Sequence, residues 1–377
     1  MEHLPTEIIR GVCGALCGHC NALANLRLTS SRLRAIAQPF LYHSIFVRQR
    51  KILGLISIFD TFISRPDLAA AVRHLVLDTW CGTEPVSDEV LSRLMHQLLR
   101  QNPHIEFPAL MASSQDASGL LPSVDGPFAP SLPALRKVVL DYSDIGHGFD
   151  FLNVTRCCNI SCTLSLQNVT FLILTYCYIS TNDMSRLLSS CGKLDTFAYE
   201  SVSEARFDMI GDEDGDDDED GLSANELVHV LEEQGHSSTL RRLSLDYSED
   251  VRDDIAMIDS LVNFSQLQEL WLRHVVLRLP ETVPADAPAG VLPASLGEIG
   301  LYSRRPENAA IDGLGFIAAQ APNGFSPRLE KLTFDYGDDN WCLNDGEEKD
   351  SRRGFQELNI VFSTRADYVI NDWIRQR

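Results

Sequence analysis

The chain has 377 residues and a formal net charge of -21, with 44% hydrophobic and 23% charged residues. That is the composition of a folded protein longer than one compact core usually grows, so two regions are expected. No apolar run reaches the roughly 18 residues of a membrane helix, and the acidity excludes the basic stripe that nucleic acid requires; neither membrane nor nucleic acid is expected as a partner, and a basic or neutral protein is. The start, Met1-Glu2-His3-Leu4-Pro5, lacks the basic segment and apolar stretch of a secretory signal, so a cytoplasmic and/or nuclear location is expected. In that setting the ten cysteines read as small buried hydrophobes. The glycosylation sequons at Asn153, Asn159, Asn168 and Asn263 then carry no meaning.

Residues 1-46 read as three short helices. Leu4-Pro5-Thr6-Glu7 opens the first, since proline is tolerated in a first turn and a carboxylate is favoured near the positive helix end. Ile8, Ile9, Val12, Leu16 and Cys17 give it an apolar stripe. Asn21 is the expected cap of a second helix carrying Leu23, Leu26 and Leu28. Thr29 or Ser30 caps a third, with Leu33, Ile36 and Ala37 ahead of Pro39. So short a module leaves apolar surface for a partner. Residues 47-71 are expected to link it onward through a helix from Ile52 to Ile63.

From residue 72 to 377 a template of three apolar positions, L-x-x-L-x-L, fits ten times, starting at Val72, Ile105, Leu135, Val169, Leu194, Leu240, Leu267, Leu296, Leu329 and Phe355. Spacings run from 25 to 34 apart from one of 46. At this apolar content chance supplies ~30 such starts, so the template needs support from context. A serine stands just upstream of the better copies, at Ser131, Ser238, Ser265, Ser295 and Ser326, and three copies end alike as Leu140-Asp141-Tyr142, Leu245-Asp246-Tyr247 and Phe334-Asp335-Tyr336. Helical periods lie between copies, after Ser87, after Thr181, after Ser223 with its capping-box Glu226, and after Ser248. One short strand per unit alternating with helix predicts an α/β fold with a parallel inner sheet and helices outside, a degenerate leucine-rich-repeat horseshoe. A doubly wound α/β domain is the rival. The 46-residue gap holds an acidic insertion over 208-222, whose core, Gly211 to Gly221, is too charged to pack. Other irregular stretches are 111-133, Pro280 to Pro293 and 338-353.

Cys13-x-x-x-Cys17-x-x-Cys20 has an iron-sulfur spacing and His19 adds a possible zinc ligand, but core packing is the simpler reading, as it is for Cys157, Cys158 and Cys162. Asp216-x-Asp218-x-Asp220-Gly221 imitates the start of a calcium loop, yet the twelfth position is Leu227. Neither metal nor cofactor is expected. Phosphate-loop, dinucleotide, nucleophile-elbow and zinc-protease motifs are missing, which leaves nothing from which to build an active site.

The N-terminal residues resemble the F-box family in Leu4-Pro5-Thr6-Glu7-Ile8-Ile9, Ala24-Asn25-Leu26-Arg27-Leu28, Ser30-Ser31-Arg32-Leu33-Arg34-Ala35-Ile36-Ala37 and Pro39-Phe40-Leu41-Tyr42, with Leu33 where many members carry tryptophan. The next stretch of chain, through Arg65-Pro66-Asp67-Leu68 to Val72-Arg73-His74-Leu75-Val76-Leu77, looks like the helix and first repeat of fungal F-box/leucine-rich-repeat proteins. The resemblance implies a non-catalytic substrate-recognition subunit of an SCF-type ubiquitin ligase, in which the F-box binds a Skp-family adaptor held by a cullin and the repeats present the target. The adaptor surface it implies is centred on Leu4, Pro5, Ile8 and Leu28, with Glu7 and Arg32 at its margin. The alternative is a repeat scaffold acting outside a ligase. Strand alternation places Asp78, Asp141, Glu200, Asp246 and Asp335 in one column, with Thr175, Arg273 and Tyr302 between them. Trp271, Tyr302, Tyr142, Tyr247 and Tyr336 are candidate anchors nearby, so a target of basic character is expected.

Overall fold

A computed structural model describes residues 4-17, 19-48, 52-78, 102, 104-111, 134-141, 166-177, 179-201, 222-247, 257-273, 276-277, 292-302, 328-335, 352-353, 355-357 and 360-365. They form a mixed α/β fold in two compact units, residues 1-169 with 190-192 and residues 170-189 with 193-377. No helix among the described residues is long and apolar enough to cross a membrane. The expected helix after Ser87, the acidic run 211-221 with its calcium-like loop, Asn153 and Asn159, the cysteines at 157, 158 and 162, and Tyr142 and Tyr336 lie outside the described residues.

The first unit opens with α1 (Thr6–Ala15), α2 (Cys20–Thr29) and α3 (Ser31–Leu41). Ile9 and Cys13 of α1, Leu23 and Leu26 of α2, and Leu33 and Ala37 of α3 form one buried cluster. Each pair is three or four residues apart, the spacing that puts side chains on a single helix face. Ser30 caps α3 as expected, its hydroxyl accepting the Leu33 amide at 3.2 Å. The second helix differs from expectation: it starts at Cys20 behind His19, without a side-chain cap, so Asn21 sits inside its first turn.

Directly after α3 comes β1 (Ser44–Arg48), parallel to β2 (His74–Asp78). This strand is absent from the sequence expectation, although Ile45, Phe46 and Val47 are good strand formers. Joining it to β2 are α4 (Ile52–Ser64), which is the expected linking helix, and the short α5 (Pro66–Ala69). Phe62 of α4 meets Tyr42 at a ring separation of 6.3 Å. The sheet of this unit continues through β3 (Phe107–Met111) to β4 (Lys137–Asp141), in chain order and parallel throughout.

In the second unit the strands are β5 (Phe171–Cys177), β6 (Thr196–Ser201), β7 (Arg242–Asp246), β8 (Met257–Ile258), β9 (Glu269–Arg273), β10 (Val276–Leu277), β11 (Glu298–Tyr302), β12 (Lys331–Asp335) and β13 (Val361–Arg365). All but β8 and β10, which pair with each other, lie side by side in chain order and parallel. A doubly wound sheet reverses its strand order at a switch point; among the described strands the order does not reverse.

One hydrogen-bond arrangement recurs where strands begin. Two successive amides donate to a single carbonyl of the preceding copy, at 2.8–3.1 Å: Arg73 and His74 to His43, Arg136 and Lys137 to Glu106, Asp195 and Thr196 to Thr170, Arg241 and Arg242 to Asp195, Gln268 and Glu269 to Arg241, Gly297 and Glu298 to Gln268, and Glu330 and Lys331 to Gly297. The residue before each accepting carbonyl is a template position, which makes Tyr42 the start of a further copy, Tyr42/Ile45/Val47, 30 residues ahead of Val72. All ten expected first positions are buried. The last copy is nevertheless misplaced by the template: Val361 donates to the Glu330 carbonyl, so the copy is aligned on Asn359, and Phe355 instead stacks on Phe362 with centroids 5.6 Å apart.

The second unit also contains the helices α6 (Thr181–Ser190) and α7 (Ala224–Glu233). The expected capping box at Ser223 and Glu226 is present on α7. On α6 the capping hydroxyl belongs to Ser180, which accepts the Asp183 amide, rather than to Thr181. The helix expected after Ser248 does not reach its described end, because Met257 and Ile258 are extended in β8 and Val262 is exposed in a turn.

Just past α7, His236 is buried and its Nε2 lies 3.1 Å from the Leu188 carbonyl of α6. Burial holds the imidazole below its ordinary value of 6.5, outweighing the carbonyl, which favours the charged form. The folded state therefore takes up its proton at lower pH than the unfolded state. Stability from this residue is complete above about pH 6.5 and declines as pH falls through the depressed folded value. His236→Gln, which keeps a donor and removes the titration, should flatten the loss of denaturant midpoint between about pH 7 and pH 5; parallel curves for the two proteins would contradict this account.

Candidate functional site

The outer face of α1 continues the row begun by Leu4. Leu4, Ile8 and Val12 are four residues apart and 40%, 53% and 37% exposed, while Ile9 and Cys13 on the inner face are fully buried. The apolar stripe expected on this helix is thus two stripes, one inside the module and one in solvent. Leu28 at the end of α2 is 69% exposed, and Pro5 and Glu7 are exposed or partly so. These apolar side chains are not needed for the core of the module, whose six buried residues include none of them.

Arg32, at the start of α3, has a structural task at this face. Its guanidinium donates to the Leu4 carbonyl at 2.8 Å and to the Thr6 hydroxyl at 3.3 Å. The segment carrying Leu4 and Pro5 is thereby tied to the third helix before α1 begins. Pro5 serves as the residue preceding the helix, its carbonyl accepting the Ile9 amide at 3.2 Å.

The second candidate surface is the sheet face opposite the leucines. In the second unit Leu243, Leu245, Leu270, Leu272, Ile299 and Leu332 point one way into the core, as period-two alternation dictates. The alternate positions carry polar groups that pair with each other. Lys331 reaches Glu298 at 2.6 Å, the Trp271 indole N–H donates to Glu269 at 2.7 Å, and the Thr333 and Ser363 hydroxyls are 3.0 Å apart.

The column expected to meet a target is corrected in two respects. Glu200, Asp246 and Trp271 are buried rather than presented to solvent. Register keeps Arg273 and Tyr302 where they were expected and adds one further base: the row at this level reads Glu200, Asp246, Arg273, Tyr302, Asp335 and Arg365 on neighbouring strands. Arg365 was hidden by alignment of the last copy on Phe355. In the first unit the corresponding row is Arg48, Asp78, Met111 and Asp141. In both rows basic residues stand in register beside acidic ones, so neither row is of a single sign.

Tyr247 is corrected for a different reason. It has the parity of Leu243 and Leu245, so it is buried with them, packs edge-on against Tyr199 at 5.9 Å and donates its hydroxyl to the Leu222 carbonyl. Burial, chiefly, holds its phenol well above the usual range. In this copy the Leu-Asp-Tyr ending puts its tyrosine on the leucine side, where it closes the core at the residue at which the acidic insertion was expected to end.

Cys13 is buried and its thiol is pushed up by burial and by Cys17 one turn on. Among the described residues no group of three or more His, Cys, Asp or Glu side chains is placed to hold a metal ion. No protein-family model matches the chain, and a search of curated proteins finds no match.

Trp271 owes its position to Gly300, its register partner on β11, because a Cβ there would run into the indole ring. Gly300→Ala should therefore expel the ring and cost about 1–3 kcal/mol of stability, read from denaturant unfolding together with a change in tryptophan emission. Adding Trp271→Leu should recover part of the loss. Unchanged stability and emission in Gly300→Ala would show that the ring does not depend on this contact.

Proposed function

We propose that this chain is the target-recognition subunit of an SCF-type ubiquitin ligase, with α1 to α3 as an F-box that docks on a Skp-family adaptor and, through it, a cullin. The observation that carries the reading is the exposed row Leu4, Ile8 and Val12, with Leu28, on a module whose core is complete without it. Buried apolar anchors supply most interface energy and rim charges adjust it. The charge of the module agrees: residues 1–46 hold four arginines and two glutamates, although the whole chain carries -21. The docking module is thus net basic within an acidic protein, which suits an acidic adaptor surface.

The remaining strands are proposed to be a degenerate leucine-rich-repeat solenoid. Parallel strands in chain order support this, as does the repeated pair of amides on one carbonyl, which a stack of like units generates naturally. Target binding belongs to the repeats as a group in this reading, and the buried Glu200, Asp246 and Trp271 are structural. Such a subunit works in the cytoplasm and/or nucleus and does no chemistry of its own.

Leu4→Ala with Ile8→Ala is the direct test, since both side chains are exposed and their loss leaves the core intact. Affinity for a Skp-family adaptor should fall by roughly 10- to 100-fold, at about 1–2 kcal/mol per lost anchor, with an unchanged circular dichroism spectrum. Equal affinity in wild type and variant, or no adaptor binding by wild type, would remove the ligase reading. Adaptor binding without co-purification of a cullin would favour a scaffold outside the ligase.

A further inference from the structure

Three thiols lie near the first helix turn, and their environments differ. Cys13 is fully buried. Cys17 is half-buried in the turn that leaves α1, where its thiol donates to the Phe40 carbonyl of α3 at 3.9 Å. Cys20 is exposed as the first residue of α2. The His19 amide donates to the Leu16 carbonyl at the end of α1 at 2.8 Å, and the Leu23 amide to the His19 carbonyl at the start of α2 at 3.2 Å. The sequence there is Cys17-Gly18-His19-Cys20. Cys17 and Cys20 thus stand at the Cys-x-x-Cys spacing of dithiol motifs, one where α1 ends and the other where α2 begins.

We propose that Cys17 and Cys20 form a reversible dithiol–disulfide site, with Cys20 as the attacking thiol, Cys17 as the resolving thiol and a low-molecular-weight disulfide as the oxidant. Cys20, open to solvent, attacks one sulfur of the oxidant; a mixed disulfide forms and the first small thiol departs with the proton given up by Cys20. Cys17 then attacks the Cys20 sulfur and the second small thiol leaves with the Cys17 proton. The two protein thiols are oxidised by two electrons and the oxidant is reduced to two thiols. Closure replaces the Cys17 contact with Phe40 by a covalent tie between the end of α1 and the start of α2. Cys13, buried on the inner face, is kept out of the exchange by its packing.

The test reads thiols and not partner binding, so its outcome is independent of the adaptor reading. Full-length protein is equilibrated with oxidised glutathione, its free thiols are blocked, and the tryptic peptide Gly11 to Arg27, which holds all three cysteines, is sequenced by mass spectrometry. Wild type should show a Cys17–Cys20 disulfide with Cys13 free, reversed by dithiothreitol. Cys17→Ser should stop at a glutathione adduct on Cys20, at a level at least ~10-fold above wild type. Cys17→Ala serves instead if the serine variant fails a circular dichroism check. Three free thiols in the wild-type peptide, a disulfide through Cys13, or a lasting adduct on wild-type Cys20 would each overturn the proposal.

Discussion

Two amides converging on one carbonyl at the start of a strand set the frame for the rest of the molecule. The arrangement fixes where each strand begins relative to its predecessor, and parallel register comes from it, as in Arg242 opposite Glu269 and Glu269 opposite Glu298. A slip of one residue would send the leucines to the polar face and the charged side chains into the core. Hydroxyls reinforce the lock in places: Thr239 donates to the Leu194 carbonyl and Ser295 to the Leu267 carbonyl, each reaching back to the first template position of an earlier copy. The serine upstream of Leu296 thus has a physical role, whereas Ser238 donates locally to Gly235.

With register fixed, the two faces of the second-unit sheet divide the work. Leucines fill one side, and ion pairs and small residues occupy the other, where Gly300 makes room for the flat ring of Trp271. The N-terminal module solves a different problem. Its helices are too short to hide all their apolar side chains, so Ile9 and Cys13 go inside and Ile8 and Val12 stay out.

Much of this was legible in the sequence, and the failures have identifiable causes. Helical caps at Ser30 and Ser223 were legible because a side-chain oxygen at a helix start has one strong local use. The strands were found wherever three apolar positions coincided with a like context. Tyr42 escaped because an aromatic residue at the end of a helix looks like the closing residue of that helix, and Asn359 because a polar residue fills a position the template reserves for leucine. The exposed Leu4, Pro5, Ile8 and Leu28 were named as a group through the resemblance, whereas Val12 was left in one stripe with Ile8 and Ile9, since periodicity gives a stripe and not its depth. Least legible was the acidic column. Sequence spacing gives the face on which a side chain stands and placed Arg273 among the acids, but the strands of Arg48 and Arg365 were not aligned from it, and register brings these two beside Asp78 and Asp335.

Tyr42 belongs at once to the last turn of the helical module and to the first copy of the strand pattern, and its ring rests on Phe62. The boundary between the two parts is therefore not a seam at which the chain can be cut. A gene fusion or recombination event at residue 46 would divide β1 within its span of Ser44–Arg48 and strand half of its backbone pairing with β2. Exchange of this module as a cassette must carry the first strand with it, and so must also preserve a match to β2. Inheritance of the two parts is coupled by backbone geometry, leaving later copies freer to diverge than the junction that introduces them.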